Sequence, residues 1–244
     1  MIFSIETSGP ICSVALKNAT QQIVSRTVYA NTQHSTLLFS MMTELLKQVG
    51  RPCSDIRAIV CGIGPGSFTG VRIAFAVAQG LSFALNIPLI GVDSLQNLAY
   101  QTIPMMKETK KSWVVWSLID ARLEQLYGAC YLCILKENKL HLDVLVEPTL
   151  MTMDEWQHRS AQHGADIYMG SGLTVLQRNN LGISEQREPI AFLSYSDREP
   201  LADLGIEIIE MENALFPLNN TTLLTPLYLR QDVAKTEQQR LLKT

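Results

Sequence analysis

The nine residues GIGPGSFTG, residues 62–70, connect a predicted strand to a predicted helix and carry the strongest local signal in the chain. Residues 56–61 before them, apolar except for Arg57, are typical of a strand, and residues 71–86 after them are predicted to be helical. A glycine-rich loop at this place can present backbone N–H groups to an anion. It has neither the lysine of a Walker A loop nor the spacing of a dinucleotide fingerprint. Since glycines also permit close strand–helix packing, anion binding and packing stand as equal interpretations.

The residues on either side of this loop predict a repeated strand and helix order. Before it come three predicted strands, at 2–6, 11–16 and 22–29. They are followed by a predicted helix at 34–49, whose apolar residues recur three and four apart. After it come a strand at 88–92 and a short helix that begins at Asp93 or Ser94. This order predicts parallel strands joined by a right-handed crossover.

The second half of the chain repeats the same pattern. The predicted strands are 113–119, 126–135 and 140–146, followed by helices at 154–163 and after Pro200. We therefore expect an α/β protein of two related lobes, with an N-terminal lobe at 1–106 and a C-terminal lobe at 107–216. We expect a tail at 217–244 to pack back towards the N-terminal lobe. The three lysines of the run 107–112 favour a solvated lobe boundary over an RNA-binding patch.

Composition limits the classes of function that this chain can have. Of its 244 residues 47% are hydrophobic, and 20 basic residues against 23 acidic ones give a formal net charge of −3. The apolar content excludes a disordered chain, and the slight acidity argues against binding nucleic acid by bulk charge. The apolar run 73–92 is long enough to span a membrane, but its polar residues and Pro88 favour a buried helix followed by a strand.

Five cysteines and the N-terminal sequence predict a cytoplasmic protein. An odd cysteine count with no signal peptide at the N-terminus is typical of reduced thiols. Cys130 and Cys133 form a C-x-x-C pair, but they fall in a predicted strand, where this spacing places them on opposite faces. We therefore favour structural cysteines over a redox pair or a zinc site.

Two short polar segments are further candidates for a site. Glu6, Thr7 and Ser8 follow the first strand and could hold a phosphate or a metal-bound water, or only cap their own turn. The run 120–124 alternates charges at the end of a strand, which favours mutual pairing over ligand binding. The four histidines have no metal-ligand spacing, and no nucleophile elbow is present.

Several of these segments together resemble the bacterial TsaB (YeaZ) family. The resemblance is carried by segments that follow the family's order: 5–8, 12–16, 34–35 with 37–38, GPGSFTGVRIA at 64–74, Asp120-Ala121-Arg122 and PLYLR at 226–230. Glu6 is a departure, because many relatives have aspartate there. The resemblance implies an actin/hexokinase-like (ASKHA) fold of two related lobes, each with a mixed sheet flanked by helices.

The resemblance also implies a function without catalysis. TsaB proteins are partners of TsaD in making threonylcarbamoyl-adenosine next to the anticodon of tRNA. TsaD uses a metal held by paired histidines after the strand equivalent to 88–92, whereas residues 91–96 contain no histidine here. We therefore expect no metal or cofactor, heterodimer formation with TsaD, contact with TsaE through it, a homodimer when the chain is alone, and only indirect contact with tRNA.

Two groups of residues are the expected sites. A phosphate or nucleotide contact is expected at Glu6, Thr7, Ser8, Gly64, Gly66, Ser67 and Thr69. A partner interface on the first-lobe helices is expected at His34, Leu38, Met41, Met42, Leu45, Arg72, Phe75, Gln79 and Phe83. Two enzymatic alternatives stay open at this point: a weak ASKHA-type ATPase or phosphotransferase, and a metallopeptidase, against which the missing histidines argue.

Overall fold

The computed structural model describes residues 1–9, 11–18, 22–29, 34–102, 112–136, 139–181, 191–193 and 224–230. The first-lobe elements are β1 (Ile2–Glu6), β2 (Ile11–Lys17), β3 (Ile23–Tyr29), α1 (His34–Val49), β4 (Ala58–Gly62), α2 (Phe68–Leu85), β5 (Leu89–Val92) and α3 (Ser94–Tyr100). Those of the second lobe are β6 (Ser112–Arg122), β7 (Gln125–Lys136), β8 (Lys139–Met151), α4 (Met153–His163), β9 (Ile167–Met169), α5 (Leu173–Arg178) and β10 (Ala191–Leu193).

The two sheets have the same topology. The first has the strand order β3-β2-β1-β4-β5 and the second β10-β9-β6-β7-β8. Each begins with an antiparallel three-strand meander whose first strand also pairs in parallel with the strand after the helix. The predicted pair of related lobes is confirmed by this repeat. The predicted boundary at 106/107 and the helix after Pro200 lie outside the described residues.

Several element ends differ from the predicted ones for local reasons. Helix α2 begins at Phe68, before the predicted residue 71, because the Ser67 side chain accepts the Gly70 N–H and caps the helix. Asp93 caps α3 by accepting two backbone N–H groups. Strand β8 continues beyond the predicted residue 146 to Met151, because its pairing with β7 continues past two register shifts.

Helices α1 and α2 both pack on one face of the first sheet. Apolar side chains from both helices and from β1, β2 and β4 form one continuous cluster there. Leu38, Met41, Leu45 and Phe75, which we expected at a partner interface, are buried in this cluster. That part of the interface prediction is wrong, because these residues form the sheet-facing stripe that an amphipathic helix buries first.

Helix α2 is long and apolar enough to cross a membrane by length and composition, and among the described residues no other helix is. It packs on the first sheet through residues that include Ala74, Phe75 and Ala78. A third of its residues are buried, and its half-buried aliphatic residues also pack against the core cluster. On the opposite side, Phe68 and Phe83 are the large apolar residues that stay exposed.

The second sheet is covered on both faces. Helix α3 packs against β6 and β7 on one face, and α4 and α5 pack on the other through residues that include Trp156 and Leu176. Cys130 belongs to one of these two clusters and Cys133 to the other, so the predicted placement on opposite faces is confirmed. Burial raises the pKa of both thiols to about 12, and all five cysteines are free.

Candidate functional site

Glu6 lies fully buried at the end of β1, with 2% of its surface exposed. Its carboxylate accepts the Ser8 N–H at 2.6 Å and the Ser94 hydroxyl at 3.2 Å. Desolvation raises the pKa of Glu6 above its ordinary value, although these hydrogen bonds act in the opposite direction. The carboxylate is therefore used within its own turn and by the first residue of α3.

The turn after β1 packs directly on the glycine-rich loop. The Thr7 hydroxyl donates to the Gly70 carbonyl at 2.7 Å, and the Ser67 N–H donates to the Ser8 carbonyl at 2.6 Å. A Cβ atom at Gly66 would collide with the Ser8 carbonyl, and one at Gly70 would collide with the Thr7 carbonyl. These glycines are therefore required for close approach of turn and loop, which is the packing interpretation of the motif.

The predicted phosphate contact stays a prediction, but the geometry shows what it would require. The Gly64 carbonyl accepts the Ser94 N–H at 2.8 Å, so the loop is also attached to α3. A phosphate held between turn and loop would have to break the contacts of Thr7 and Ser8 with the loop. Ser67 and Thr69 are exposed at the mouth of a cleft and need no such displacement.

A cleft of about 790 Å³ separates the two lobes beside this loop. Its first-lobe wall is formed by the turn after β1 and the start of α2, and its second-lobe wall by residues 119–123. The three residues Arg122, Leu123 and Glu124 have left-handed backbone conformations, with φ of 66°, 53° and 52°. Leu123 is 81% exposed at the tip of this turn. Three consecutive non-glycine residues in this region are costly and must be stabilised by their surroundings.

The two carboxylates at this turn accept hydrogen bonds from a backbone N–H and a side-chain amide. Asp120 accepts the Arg122 N–H at 2.7 Å, and Glu124 accepts the Asn179 side-chain amide at 2.5 Å. The expected pairing of these charges with one another is not found in the described part of the chain, where the Arg122 guanidinium has no ion pair. Arg122 therefore offers a positive charge to the cleft.

Residues 224–230 cross the cleft from one lobe to the other. The Leu227 N–H donates to the Ile63 carbonyl at 2.8 Å, and the Tyr228 hydroxyl accepts a hydrogen bond from Arg72 Nε at 3.0 Å. Arg230 Nη2 donates to the Ala121 carbonyl of the second lobe at 2.9 Å. The sequence suggested only that the tail would return to the N-terminal lobe; contacts between residues so distant along the chain have no local signal.

The outward faces of α1 and α2 carry exposed phenylalanines among polar side chains; we call this surface the helix face and define it by Phe39, Met42, Arg72, Gln79 and Phe83. Phe83 is 91% exposed and Phe39 is 52% exposed. Arg72 and Gln79 are also exposed, and Met42 is half-buried. Phe39 is absent from the predicted interface, although its place opposite the buried stripe of α1 could have identified it.

The described residues contain no group of three or more His, Cys, Asp or Glu side chains placed to hold a metal ion. At the position where the resemblance implies histidines in TsaD, Asp93 is the N-cap of α3 and accepts the N–H groups of Leu95 and Gln96. Burial raises the pKa of Asp93 to about 6, and the nearby Glu6 contributes in the same direction. The carboxylates of this region thus lie in caps and turns.

Comparison with known proteins identifies relatives by sequence. The family model described as "TsaD: tRNA N6-adenosine threonylcarbamoyltransferase" matches residues 22–181. The chain is 36% identical over 135 residues to the tRNA threonylcarbamoyladenosine biosynthesis protein TsaB of Escherichia coli (strain K12), covering 53% of this chain and 54% of that protein. It is 31% identical over 130 residues to the protein of the same name from Bacillus subtilis (strain 168), again covering 53% and 54%. The chain thus spans about half the length of the curated relatives it matches.

Solved structures match almost the whole chain. An uncharacterized protein from Pseudomonas aeruginosa with similarity to peptidase YeaZ has a TM-score of 0.73 at 29% identity, covering 94% of this chain and 99% of that one. YeaZ from the same organism has a TM-score of 0.70 at 27% identity, covering 93% and 99%. With the repeated mixed sheets, these neighbours confirm the expected two-lobed α/β fold of the actin-like class.

Proposed function

The chain belongs to the family that the matched model describes, and within it to the TsaB (YeaZ) group, and from that premise we propose that it is a non-catalytic subunit in threonylcarbamoyl-adenosine modification of tRNA. It acts by binding TsaD and stabilising or activating it, and it contacts TsaE through that heterodimer. The observation that carries this proposal is the helix face, where Phe83 of α2 is 91% exposed and Phe39 of α1 is 52% exposed.

The exposed side of α2, which forms part of the helix face, fits a partner helix. Arg72, Ala76, Gln79, Gly80 and Phe83 recur at helical spacing along the exposed side of α2. Small residues at its centre let a partner helix approach closely, while Phe83 supplies the large apolar contact that dominates many interfaces. When the chain is alone, a second copy covers this surface as a homodimer.

The absence of catalysis in this proposal is supported by the way the polar groups are used. Glu6 and Thr7 are bonded within the fold, and the described residues present no metal-binding cluster. A net charge of −3 supports indirect contact with tRNA, because a main tRNA-binding surface requires basic residues. The five free cysteines support a cytoplasmic location.

The weak ATPase or phosphotransferase remains the second candidate. It is favoured by the 790 Å³ cleft, into which Ser67, Thr69 and Arg122 are exposed. The discriminating measurement is ATP hydrolysis by the chain alone. Under the subunit proposal, hydrolysis stays at background in the wild type and in Thr69→Ala; turnover that Thr69→Ala abolishes would favour the enzyme.

The partner proposal is tested by co-purification with TsaD and a reconstituted tRNA modification assay. We expect Phe83→Asp to weaken the heterodimer by at least about tenfold, because a carboxylate replaces an apolar interface residue. Modification should fall with it. The matched control is Val144→Asp, which places the same charge on the 42% exposed Val144 of β8 in the other lobe. Equal binding by Phe83→Asp and wild type would refute the helix face as the docking surface.

A further inference from the structure

We propose that residues 224–230 act as a strap between the lobes, and that Arg72 couples this strap to an acidic group seated on the helix face. The strap and its coupling to Arg72 are properties of the single chain. That the acidic group belongs to a docked partner rests on the function proposed above.

The strap is attached to the first lobe at two points. The Leu224 side chain packs against the apolar core between the first sheet and its helices. Further along, the Leu227 N–H donates to the Ile63 carbonyl in the glycine-rich loop. The first part of the strap therefore moves with the first lobe.

The second part of the strap is attached to the other lobe. Leu229 packs against the second-lobe core, and Arg230 donates to the Ala121 carbonyl at 2.9 Å and to the Arg122 carbonyl at 3.5 Å. The three residue steps from Leu227 to Arg230 span at most about 11 Å. The strap therefore limits how far the two walls of the cleft can separate, and it supports the strained turn at Arg122.

Arg72 connects the strap to the helix face. Its guanidinium lies 3.7 Å from the centre of the Phe68 ring, and its Nε donates to the Tyr228 hydroxyl. The rings of Phe68 and Tyr228 are 5.4 Å apart, so the three side chains form one stack at the edge of the cleft. Arg72 is also exposed on the same side of α2 as Ala76 and Phe83.

Arg72 binds the strap through its Nε–H, so a carboxylate on the helix face that accepts this N–H competes with Tyr228. In the described part of the chain Arg72 has no carboxylate partner. A hydrogen bond to a carboxylate is stronger than one to a neutral hydroxyl, so an acidic group on the helix face draws Arg72 away from Tyr228. That change loosens the strap and widens the range of lobe separations. By linkage, a loosened strap equally favours acidic partners on the helix face.

The test measures lobe separation in the chain without TsaD, with labelled protein diluted in excess unlabelled chain so that only distances within one molecule are detected. Spin labels are placed at Arg57→Cys in the first lobe and Gln157→Cys in the second, both exposed, and half-buried Cys53 is changed to serine. Double electron–electron resonance then gives the distribution of distances between the two spin labels. We expect Tyr228→Phe, which keeps the ring and loses the hydroxyl, to raise the population outside the wild-type peak roughly fivefold. Arg230→Met should do the same by releasing the second-lobe end.

Ala76→Glu tests the coupling without any partner. This substitution places a carboxylate four residues after Arg72 on the same side of α2, within reach of the guanidinium. We expect it to raise the population outside the wild-type peak about twofold, because an exposed pair at this spacing is weak. Ala76→Gln, of the same size and without charge, should leave the wild-type distribution.

A further control separates this proposal from general loosening. Arg26→Met removes the same kind of side chain from β3, where Arg26 pairs with Glu44 of α1 in the first lobe, and it should keep the wild-type distribution. Wild-type distances in Tyr228→Phe and Arg230→Met would overturn the strap. Wild-type distances in Ala76→Glu alone, or equal broadening in Ala76→Gln, would overturn the coupling. Failure of TsaD to bind would refute the proposed function and leave these results unaffected.

Discussion

The first hairpin turns of the two lobes are built on the same contact and differ in what surrounds them. In the first lobe Glu6 accepts the Ser8 N–H at 2.6 Å, and in the second Asp120 accepts the Arg122 N–H at 2.7 Å. Each is an acid at a strand end that accepts the N–H two residues later. The first turn is buried beneath a loop, whereas the second extends into the cleft with exposed residues.

The loops beside these turns continue the comparison. In the second lobe the segment between β9 and α5 takes the place of the glycine-rich loop: the Asp120 N–H donates to the Ser171 hydroxyl, and the Gly172 N–H donates to the Leu118 carbonyl. In the first lobe Thr7 and Ser8 are held by the loop on both sides. The two lobes thus share a backbone arrangement. The first turn is closed, because its loop covers it, whereas the second is half-open, because part of it is exposed to the cleft. Only the half-open turn receives hydrogen bonds from the strap, through Arg230.

The closed turn predicts a large effect from one methyl group. Gly70→Ala places a Cβ against the Thr7 carbonyl, so we expect it to lower the free energy of unfolding by about 3 kcal/mol. The control is Gly80→Ala in the same helix, where an added Cβ meets nothing within 4 Å. That variant should gain about 0.5–1 kcal/mol from helix propensity. Urea unfolding measures both, and equal effects would mean that the turn is not tightly closed.

Much of this arrangement could be predicted from the sequence. Periodicity located α1 at its observed bounds and placed Cys130 and Cys133 on opposite faces, because both depend on local repeat patterns. The run at 64–74 located the loop and its helix. The second-lobe loop at 170–172 was missed, because Gly-Ser-Gly without a proline or a longer glycine run is a weak signal.

Other features depend on tertiary contacts that a sequence pattern does not contain. The stripe of Leu38, Met41 and Leu45 looks the same whether it faces a sheet or a partner, and only packing shows that it faces the sheet. The contact of Arg72 with Tyr228 joins residues 156 positions apart. The use of Glu6 and Thr7 within the fold likewise depends on the position of Gly70 and Ser94 in space.

The buried carboxylates of the first lobe predict a pH dependence. The pKa of Asp93 is raised to about 6 from an ordinary 3.8, so the folded state holds the proton more tightly than the unfolded state. The resulting stability is present below about pH 4 and is lost as pH rises through 6. Asp93→Asn keeps an N-cap and removes the charge. We expect wild type to lose on the order of 2–3 kcal/mol relative to Asp93→Asn between pH 4 and 7.

Urea unfolding of both proteins at several pH values measures this difference. The buried Glu6, whose pKa is also raised, is present in both proteins and cancels to the extent that the two sites are independent. A constant difference between wild type and Asp93→Asn across this range would show that the cap carboxylate is better solvated than its burial indicates.

The smallest expected effect compares one hydroxyl in each lobe. Thr7→Val removes the bond to the Gly70 carbonyl at a fully buried position, and Ser171→Ala removes the bond to the Asp120 N–H at a half-buried one. We expect losses of about 1–2 kcal/mol for Thr7→Val and about 0.5–1 kcal/mol for Ser171→Ala, because water reaches the second donor when its partner is removed. The measurement is again urea unfolding. If Ser171→Ala lowered the free energy of unfolding as much as Thr7→Val, the second turn would be as inaccessible to water as the first. The contrast between a closed first turn and a half-open second turn would then be wrong.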